Sequence, residues 1–313
     1  MKHKILALGP LPKAQMVLLC GKYDVISLWR EDDPETCLQA HKEDIKAIVS
    51  TAWNPVSAKL MSALPNLALI ANFGVGYDNI DMDMAGQLGI AVTNTPDVLT
   101  DDVADFAMGL LLSLYRRMVE GDIYARSGFW QEKGMMPLGS SVRGQKMGIV
   151  GMGRIGRAIA DRAEVFGIQI SYHGPNEKAG LPYTYYKDLS QMAADVDVLM
   201  VSCTATAETE HLIDAGVIQK LGREGRLINI SRGSVIDEEA LVTALSQEKL
   251  KGAALDVFAH EPQIPKALKM MDHVVLQPHQ ASATHETRAA MGQLVLDNLE
   301  AYFNDGLLLT QVN

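Results

Sequence analysis

The sequence predicts an α/β protein in which two domains are each built on a parallel sheet. Short apolar runs alternate with helical patterns from one end of the chain to the other, which is the order of βαβ units. The runs are apolar throughout rather than alternating, as expected for strands that are covered on both faces. The length of 313 residues suits two domains of roughly 150 residues each.

Ten strands are expected from these runs. They are residues 4–8, 47–50, 69–72, 91–93, 146–150, 169–172, 198–203, 226–230, 252–255 and 274–276. Two long helices are also expected, at 101–124 and 284–303. Asp101, Asp102 and Asp105 favour the first of them, because carboxylates near a helix N-terminus interact well with the helix dipole.

Composition and charge exclude several classes of protein. There are 38 acidic and 28 basic residues and no basic block, so a nucleic-acid partner is not expected. No apolar stretch reaches the roughly 18 residues of a membrane span, and the apolar run near the N-terminus is too short for a signal peptide. The three cysteines are far apart and form no CxxC pair, so we expect no disulfide framework, no metal site and a cytoplasmic protein.

A GxGxxG motif lies between the strand at 146–150 and a helical pattern. Gly151 permits a tight turn, Gly153 lets the backbone approach a diphosphate, and Gly156 lets the helix pack against the sheet. The helix N-terminus supplies amide groups and positive potential for phosphates. The motif predicts a dinucleotide-binding Rossmann domain; the alternative is a glycine-rich turn without a ligand.

The position of this loop in mid-chain implies that another domain precedes it. Turn residues at 95–97 and a polar loop at 140–144 flank the first long helix. We expect a dinucleotide-binding domain at 99–287. We expect a second, substrate-binding domain to be formed by 1–98 plus 288–313.

The strand after the glycine loop ends at His173-Gly174, where many NAD enzymes have an acidic residue that binds the adenosine ribose. Without that acid a 2′-phosphate is not repelled, so NADP(H) is favoured and NAD(H) remains possible. The arginine that usually binds the phosphate is also missing. His173, Asn176 and Lys178 could replace it, or these residues form a plain surface turn.

Three strand ends carry residues with catalytic chemistry. Arg232 follows the strand at 226–230, Glu261 follows the next strand, and His279 follows the last one. Ligands of open parallel sheets bind at the carboxyl ends of strands, so these side chains can converge. Arg232 can bind a carboxylate and a carbonyl oxygen, His279 can donate a proton, and Glu261 can support the imidazolium.

Each of these residues also has a simpler interpretation. Arg232 could be a surface cation, and Glu261 could be a loop acid before a proline. His279 has three histidines near it in the sequence, at 260, 273 and 285. The order of the three residues after a GxGxxG motif favours the catalytic interpretation.

Together these motifs resemble the D-2-hydroxyacid dehydrogenase family over essentially the whole chain. The stretches that carry the resemblance are 151–156, 229–233, 256–258, 261–262, 278–279 and 281–282. Within the family the sequence is most similar to the glyoxylate/hydroxypyruvate and hydroxyphenylpyruvate reductase branch. The resemblance implies two Rossmann-like domains with the active site in the cleft between them. It also implies NAD(P)H-dependent reduction of small 2-oxo acids to D-2-hydroxy acids.

The resemblance implies further roles for single residues. Arg232, Glu261 and His279 would be the catalytic set, and Asp256 would contact the nicotinamide carboxamide. A homodimer is implied as well, with the helix at 101–124 at its interface. The residues expected to bind the cofactor are Gly151, Gly153, Arg154, Ile155, Gly156, His173, Gly174, Cys203, Thr204, Ile230, Arg232, Asp256 and His279.

A glycine-containing loop at 72–78 is the expected site of the substrate carboxylate. In the family this loop binds the anion through backbone amides, which here are those of Val75 and Gly76. Glycines that free the backbone to form an anion-binding nest agree with that role, although a simple turn is the alternative. Trp53 follows the strand at 47–50 and either shapes the substrate pocket or belongs to the core.

Other functions remain open from the sequence. A dinucleotide-sensing interaction protein, like the corepressors built on this fold, would show recognition extensions, and the chain as given ends at Asn313 without one. Formate dehydrogenase is disfavoured because its family pattern pairs glutamine with the histidine. Phosphoglycerate dehydrogenase is an alternative, although no regulatory domain is expected after the catalytic unit.

Overall fold

The computed structural model describes residues 2–313 and divides into two compact units. One is formed by the chain up to Leu99 together with Ala283–Asn313, and the other by Thr100–Ser282. Each unit has its own sheet, and all the named strands pair in parallel. The expected α/β class with two parallel sheets is therefore confirmed.

The described part of the chain forms twelve strands. They are β1 (Lys4–Ala7), β2 (Asp24–Ser27), β3 (Ile45–Thr51), β4 (Leu69–Phe73), β5 (Ala91–Thr93), β6 (Lys146–Val150), β7 (Gln169–His173), β8 (Thr184–Tyr186), β9 (Val198–Val201), β10 (Arg226–Asn229), β11 (Gly252–Leu255) and β12 (Val274–Leu276).

Helices connect most of these strands. Within residues 2–313 they are α1 (Lys13–Lys22), α2 (Pro34–His41), α3 (Ala58–Ser62), α4 (Met82–Leu88), α5 (Thr100–Arg116), α6 (Met118–Arg126), α7 (Phe129–Lys133), α8 (Arg154–Val165), α9 (Leu189–Asp195), α10 (Ala215–Leu221), α11 (Glu238–Ser246) and α12 (His285–Asp305). No helix of this range is long and apolar enough to cross a bilayer.

The strand order places the loops that carry the candidate site. The first unit has the order β2-β1-β3-β4-β5, and the second has the order β12-β11-β10-β9-β6-β7-β8. β10, β11 and β12 are neighbours, so the loops that follow them all emerge at one edge of the sheet. The loop after β6 emerges at the same edge, beyond β9.

The central strands form the cores because they are apolar on both faces. All five residues of β4 and all four residues of β9 are buried. Burial of one Leu or Ile side chain stabilises a fold by about 1.5–3 kcal/mol, so these strands hold their loops on a rigid base. Asn72 is the polar exception in β4 and is only 1% exposed.

Two strands were not expected from the sequence. β2 and β8 have four and three residues, and each lies at the edge of its sheet. Edge strands are partly solvated, so they lack the continuous apolar run that marks a central strand. The other ten strands lie where apolar runs predicted them, with ends that differ by a few residues.

The expectation of one helix at 101–124 is wrong. α5 ends at Arg116, Arg117 has a left-handed backbone with φ of 53°, and α6 begins at Met118. The Arg117 guanidinium donates to both carboxylate oxygens of Glu120, at 2.5 and 3.1 Å. The break contains neither glycine nor proline, so the usual sequence signals of a helix end were missing.

The helix expected at 284–303 is present as α12. The Thr284 hydroxyl accepts a hydrogen bond from the Thr287 N–H and caps the helix, and Gly306 ends it in a left-handed conformation. The tail then returns to the first sheet, where the Val312 N–H donates to the Val92 carbonyl. This segment therefore belongs to the same unit as β1 to β5.

Candidate active site

The glycine loop joins β6 to α8 and is shaped by close contacts. Gly151 has φ of 96°, and a Cβ there would lie 2.5 Å from the Cys203 backbone. A Cβ on Gly156 would lie 2.2 Å from the Gly151 carbonyl oxygen. Only glycine fits at these two positions, because one needs a left-handed turn and both touch backbone. Burial raises the pKa of the Cys203 thiol to about 11, so a neutral, apolar side chain faces the loop.

The same loop fits a dinucleotide diphosphate. A Cβ on Gly153 would meet no atom within 4 Å, so there is open space where a ligand would approach. Among the described residues, no side chain caps the N-terminus of α8, which begins directly after this glycine. A helix N-terminus with amide groups open to a ligand favours a phosphate.

The end of β7 forms an ordered turn. Nδ1 of His173 lies 3.0 Å from the Tyr186 carbonyl oxygen, so one ring nitrogen is used within the protein. The Tyr185 hydroxyl donates to the Gly174 carbonyl at 3.0 Å, and the Lys178 N–H donates to the Tyr172 hydroxyl at 2.8 Å. These contacts fix the backbone where the adenosine ribose is expected, and the role of the turn in cofactor choice stays a prediction.

Arg232 lies in a loop that is held by its neighbours. Asn229 is 1% exposed, and its side-chain amide donates to the Arg232 carbonyl at 2.8 Å while its oxygen accepts from the Ser231 N–H at 3.0 Å. The Ser231 hydroxyl accepts from the Arg232 N–H at 2.6 Å. Asn229 and Ser231 were missed as site residues, because such side-chain bonds to the local backbone leave no periodic pattern in a sequence.

Gly233 brings the loop after β10 against the loop after β11. A Cβ at this position would lie 1.9 Å from the Phe258 carbonyl carbon and 2.3 Å from the Ala259 nitrogen. The two backbones are therefore in direct contact. This contact ties the loop of Arg232 to the segment that leads to Glu261.

Glu261 and His279 form a partly buried pair. Nδ1 of His279 lies 2.8 Å from Oε2 of Glu261, and each side chain is 19% exposed. The other carboxylate oxygen accepts from the Phe258 N–H at 3.1 Å. A carboxylate at Nδ1 sets the orientation of the ring and leaves Nε2 as the atom that can exchange a proton with a ligand.

Asp256 fixes the loop that carries this histidine. Its fully buried carboxylate accepts from the Gln280 N–H at 2.6 Å and the Ala281 N–H at 3.0 Å, and its carbonyl accepts from the His279 N–H at 2.9 Å. Burial is the main reason why the pKa of Asp256 is raised. His279 has φ of 56°, a conformation uncommon outside glycine that often marks functional sites.

The competing histidines differ from His279 in exposure or in their place in the chain. His260 is exposed, and His273 precedes β12, so it is at the amino end of the sheet rather than the carboxyl end. His285 is the first residue of α12 in the other unit. Of these candidates, His279 is the one for which a carboxylate partner is found at the carboxyl end of the strands.

In the first unit, Val75 and Gly76 lie directly after β4 and are half-buried. Within residues 2–313, neither Gly74 nor Gly76 is among the residues with positive φ. Hydrogen bonds from the Asn72 and Asn94 side chains hold this loop, and its role in binding the substrate carboxylate stays a prediction. Trp53 is 55% exposed, so the alternative that it is a core residue is wrong.

Comparison with known protein families gives a match over more than half of the chain. The model for the D-isomer specific 2-hydroxyacid dehydrogenase NAD binding domain matches residues 108–281. That range holds the glycine loop, Arg232, Glu261 and His279.

Individual relatives match over nearly the whole chain. Glyoxylate/hydroxypyruvate reductase A of Arabidopsis thaliana is 45% identical over 93% of this chain and 93% of its own length. Hydroxyphenylpyruvate reductase of Plectranthus scutellarioides is 44% identical over the same shares. The crystal structure of the NADPH-dependent glyoxylate/hydroxypyruvate reductase of Sinorhizobium meliloti with NADP and malonate has 42% identity and a TM-score of 0.93, covering 100% of this chain and 97% of that one.

Proposed function

Because the chain belongs to the D-isomer specific 2-hydroxyacid dehydrogenase family, we propose that it reduces small 2-oxo acids to 2-hydroxy acids. Glyoxylate and hydroxypyruvate are the substrates we favour, since relatives with these activities match over most of the chain. The observation that carries the proposal is the Glu261–His279 pair, at 2.8 Å, beside the loop of Arg232.

The reaction needs a hydride and a proton. Reduced nicotinamide, when bound, supplies the hydride to the carbonyl carbon. Nε2 of His279 donates the proton to the carbonyl oxygen, and Glu261 at Nδ1 stabilises the charged ring. Arg232 binds the carboxylate and the carbonyl oxygen through its fork of N–H donors, which polarises the carbonyl group.

Two further groups of residues have proposed roles. The amides of Val75 and Gly76 bind the substrate carboxylate, and Trp53, which is exposed, borders the substrate's side chain. Asp256 contacts the nicotinamide carboxamide from the end of β11. Four more residues are proposed to bind the cofactor because they follow the carboxyl ends of β6, β9 and β10. They are Arg154, Ile155, Thr204 and Ile230.

NADP(H) is the cofactor we favour. No carboxylate ends β7, so a 2′-phosphate on the adenosine ribose meets no like charge there. The relative from Sinorhizobium meliloti is NADPH-dependent and was crystallised with NADP. NAD(H) is the alternative, because the turn after His173 has no arginine.

The purified protein tests the proposal directly. We expect NADPH to be oxidised in the presence of glyoxylate or hydroxypyruvate, followed by its absorbance, with a lower rate for NADH. A panel of 2-oxo acids with both cofactors then ranks the substrates. An absence of turnover with every 2-oxo acid and both cofactors would refute the proposal.

We also propose that the protein is a homodimer. The segment from α6 onwards exposes large apolar side chains, a pattern that marks protein interfaces. They are Met118, Val119, Ile123, Trp130, Met135 and Leu138. Light scattering should give twice the mass of 34.1 kDa, and Ile123→Lys should shift the mass toward that of one chain. A single-chain mass for the unaltered protein would contradict the dimer.

A cytoplasmic location is the last part of the proposal. Cys20, Cys37 and Cys203 are all unpaired thiols, which suits a reducing compartment. Fractionation of the source cells with an antibody against the protein tests it, and recovery with secreted proteins would contradict it.

A further inference from the structure

The backbone that follows β4 is held by two asparagine side chains. The Asn72 side-chain amide donates to the Gly74 carbonyl at 3.3 Å and to the Gly76 carbonyl at 2.8 Å. The Asn94 side-chain amide donates to the Val75 carbonyl at 2.9 Å. Three consecutive carbonyl groups of this loop therefore each accept a hydrogen bond from one of these two side chains.

The direction of each carbonyl also sets the direction of an N–H. In a trans peptide unit the C=O of one residue and the N–H of the next point in opposite directions. The bond from Asn72 to the Gly74 carbonyl therefore directs the Val75 N–H away from Asn72. By the same rule, the bond from Asn94 to the Val75 carbonyl directs the Gly76 N–H away from Asn94. Within residues 2–313 neither N–H donates to a backbone carbonyl.

The two asparagines are themselves fixed in place. Asn72 is 1% exposed, and its side-chain oxygen accepts from the Ser50 hydroxyl at 2.9 Å, which leaves the NH₂ group facing the loop. Asn94 is 7% exposed, its N–H donates to the Thr310 carbonyl at 3.2 Å, and its carbonyl accepts from the Thr310 hydroxyl at 2.6 Å. Asn72 is thus fixed through its side-chain oxygen and Asn94 through its backbone. Buried side chains held in this way lose little further freedom on binding a ligand.

We propose that Asn72 and Asn94 are positioning residues that aim the Val75 and Gly76 N–H groups at the substrate carboxylate. Asn72 sets the first donor and Asn94 sets the second. The donors of this anion site are then backbone N–H groups, and the side chains that orient them do not touch the substrate. This inference rests on the proposed function, because it takes the anion to be a 2-oxo acid.

Leucine substitutions test the inference, because leucine is close to asparagine in shape and has no donor. A charge-assisted hydrogen bond contributes about 1.5–3 kcal/mol, so misdirecting one donor should weaken anion binding by about tenfold or more. We expect Asn72→Leu and Asn94→Leu each to raise the KM for glyoxylate and the inhibition constant of oxalate about tenfold. The kcat should change little, because binding that is equal in ground and transition states affects KM.

Asn66→Leu is the control. The Asn66 side-chain amide donates to the Glu43 carbonyl at 2.9 Å, and these residues precede β4 and β3, at the opposite end of the strands from the loop after β4. This variant also loses a hydrogen bond from a side-chain amide to a backbone carbonyl, but it should leave oxalate inhibition unchanged. NADPH affinity, measured by fluorescence, should be unchanged in all three variants.

The outcomes separate this inference from the proposed function. Equal oxalate affinity in the unaltered protein and both test variants overturns the inference, as does a fall in kcat with an unchanged KM. If the unaltered protein reduces no 2-oxo acid, the proposed function fails, and calorimetric oxalate binding in the presence of NADPH still decides the role of the asparagines. If Asn72→Leu does not fold, Asn94→Leu alone tests the inference.

Discussion

Each unit has a buried asparagine near the carboxyl end of an inner strand, and the two asparagines hold loops of different kinds. Asn72 in β4 and Asn229 in β10 are both 1% exposed. Asn72 donates to carbonyls at 74 and 76 and thereby turns backbone N–H groups outward. Asn229 donates to the carbonyl of Arg232 and thereby fixes the backbone from which a charged side chain extends.

The difference contrasts two kinds of hydrogen-bond donor that the proposed function assigns to anion binding. Anion binding by a backbone N–H does not depend on the side chain of the same residue. It depends on the contacts that fix the orientation of the peptide plane. Side-chain donors depend on the identity of one residue. The loops of the two units should therefore respond in opposite ways to substitution, and the following experiments test that contrast.

The largest effect is expected at the proton donor. His279→Ala should lower kcat by about a thousandfold, within the range that a general acid contributes, while NADPH still binds. Stopped-flow measurement of hydride transfer checks the first part and fluorescence titration the second. His260→Ala is the control, since His260 is exposed and should leave turnover unchanged. Turnover retained in His279→Ala would remove this residue from its role.

Substitution of the side-chain donor should have the next largest effect. Arg232→Lys keeps the charge but loses the fork of two N–H donors, so kcat/KM for glyoxylate should fall by about ten- to a hundredfold. Arg223→Lys is the control, because Arg223 is exposed and pairs with Glu248. Near-normal kinetics in Arg232→Lys would mean that the second unit does not recognise the anion through this guanidinium.

The carboxylate behind the histidine should matter less than the histidine. Glu261→Gln keeps the shape of the side chain but removes the charge that stabilises the imidazolium. We expect kcat to fall by about tenfold while NADPH affinity is unchanged. Steady-state kinetics and fluorescence titration check the two parts, and a kcat identical to that of the unaltered protein would contradict the pairing.

The smallest effect is expected for Val75→Ala, and this variant tests the contrast between backbone and side-chain donors most directly. Val75→Ala removes side-chain atoms and leaves the N–H in place, so the KM for glyoxylate should change by no more than about threefold. The tenfold effect expected for Asn72→Leu would then exceed that of a residue proposed to touch the substrate. A larger change in Val75→Ala than in Asn72→Leu would show that this loop binds through its side chains.

The parts of the site that the sequence predicts are those with a fixed local spacing. Gly151 and Gly156 can be read from the motif because the turn and the helix contact each need glycine, and a Cβ at either position would lie within 2.5 Å of backbone. The Glu261–His279 contact was also expected, since both residues follow neighbouring strands. Their functional roles stay predictions.

The parts that sequence reasoning missed depend on contacts between distant segments. Asn94 lies next to Val75 because β4 and β5 pair, and no pattern in the chain links the two residues. Arg117 breaks a helix without glycine or proline, and its bonds to Glu120 could only be seen once the turn was known. The side-chain bonds from Asn72 and Asn94 that hold the loop after β4 likewise leave no pattern in the sequence.

The interrupted course of the chain through the first unit has a consequence for biosynthesis. Thr100–Ser282 is continuous and can fold while the ribosome is still adding residues, because domains generally fold as units during translation. The unit of β1 to β5 cannot be completed until α12 and the tail have emerged. Thr310, which bonds to both backbone groups of Asn94, follows α12 in the chain. A nascent chain can therefore fold Thr100–Ser282 before the segments that complete the first unit have been made.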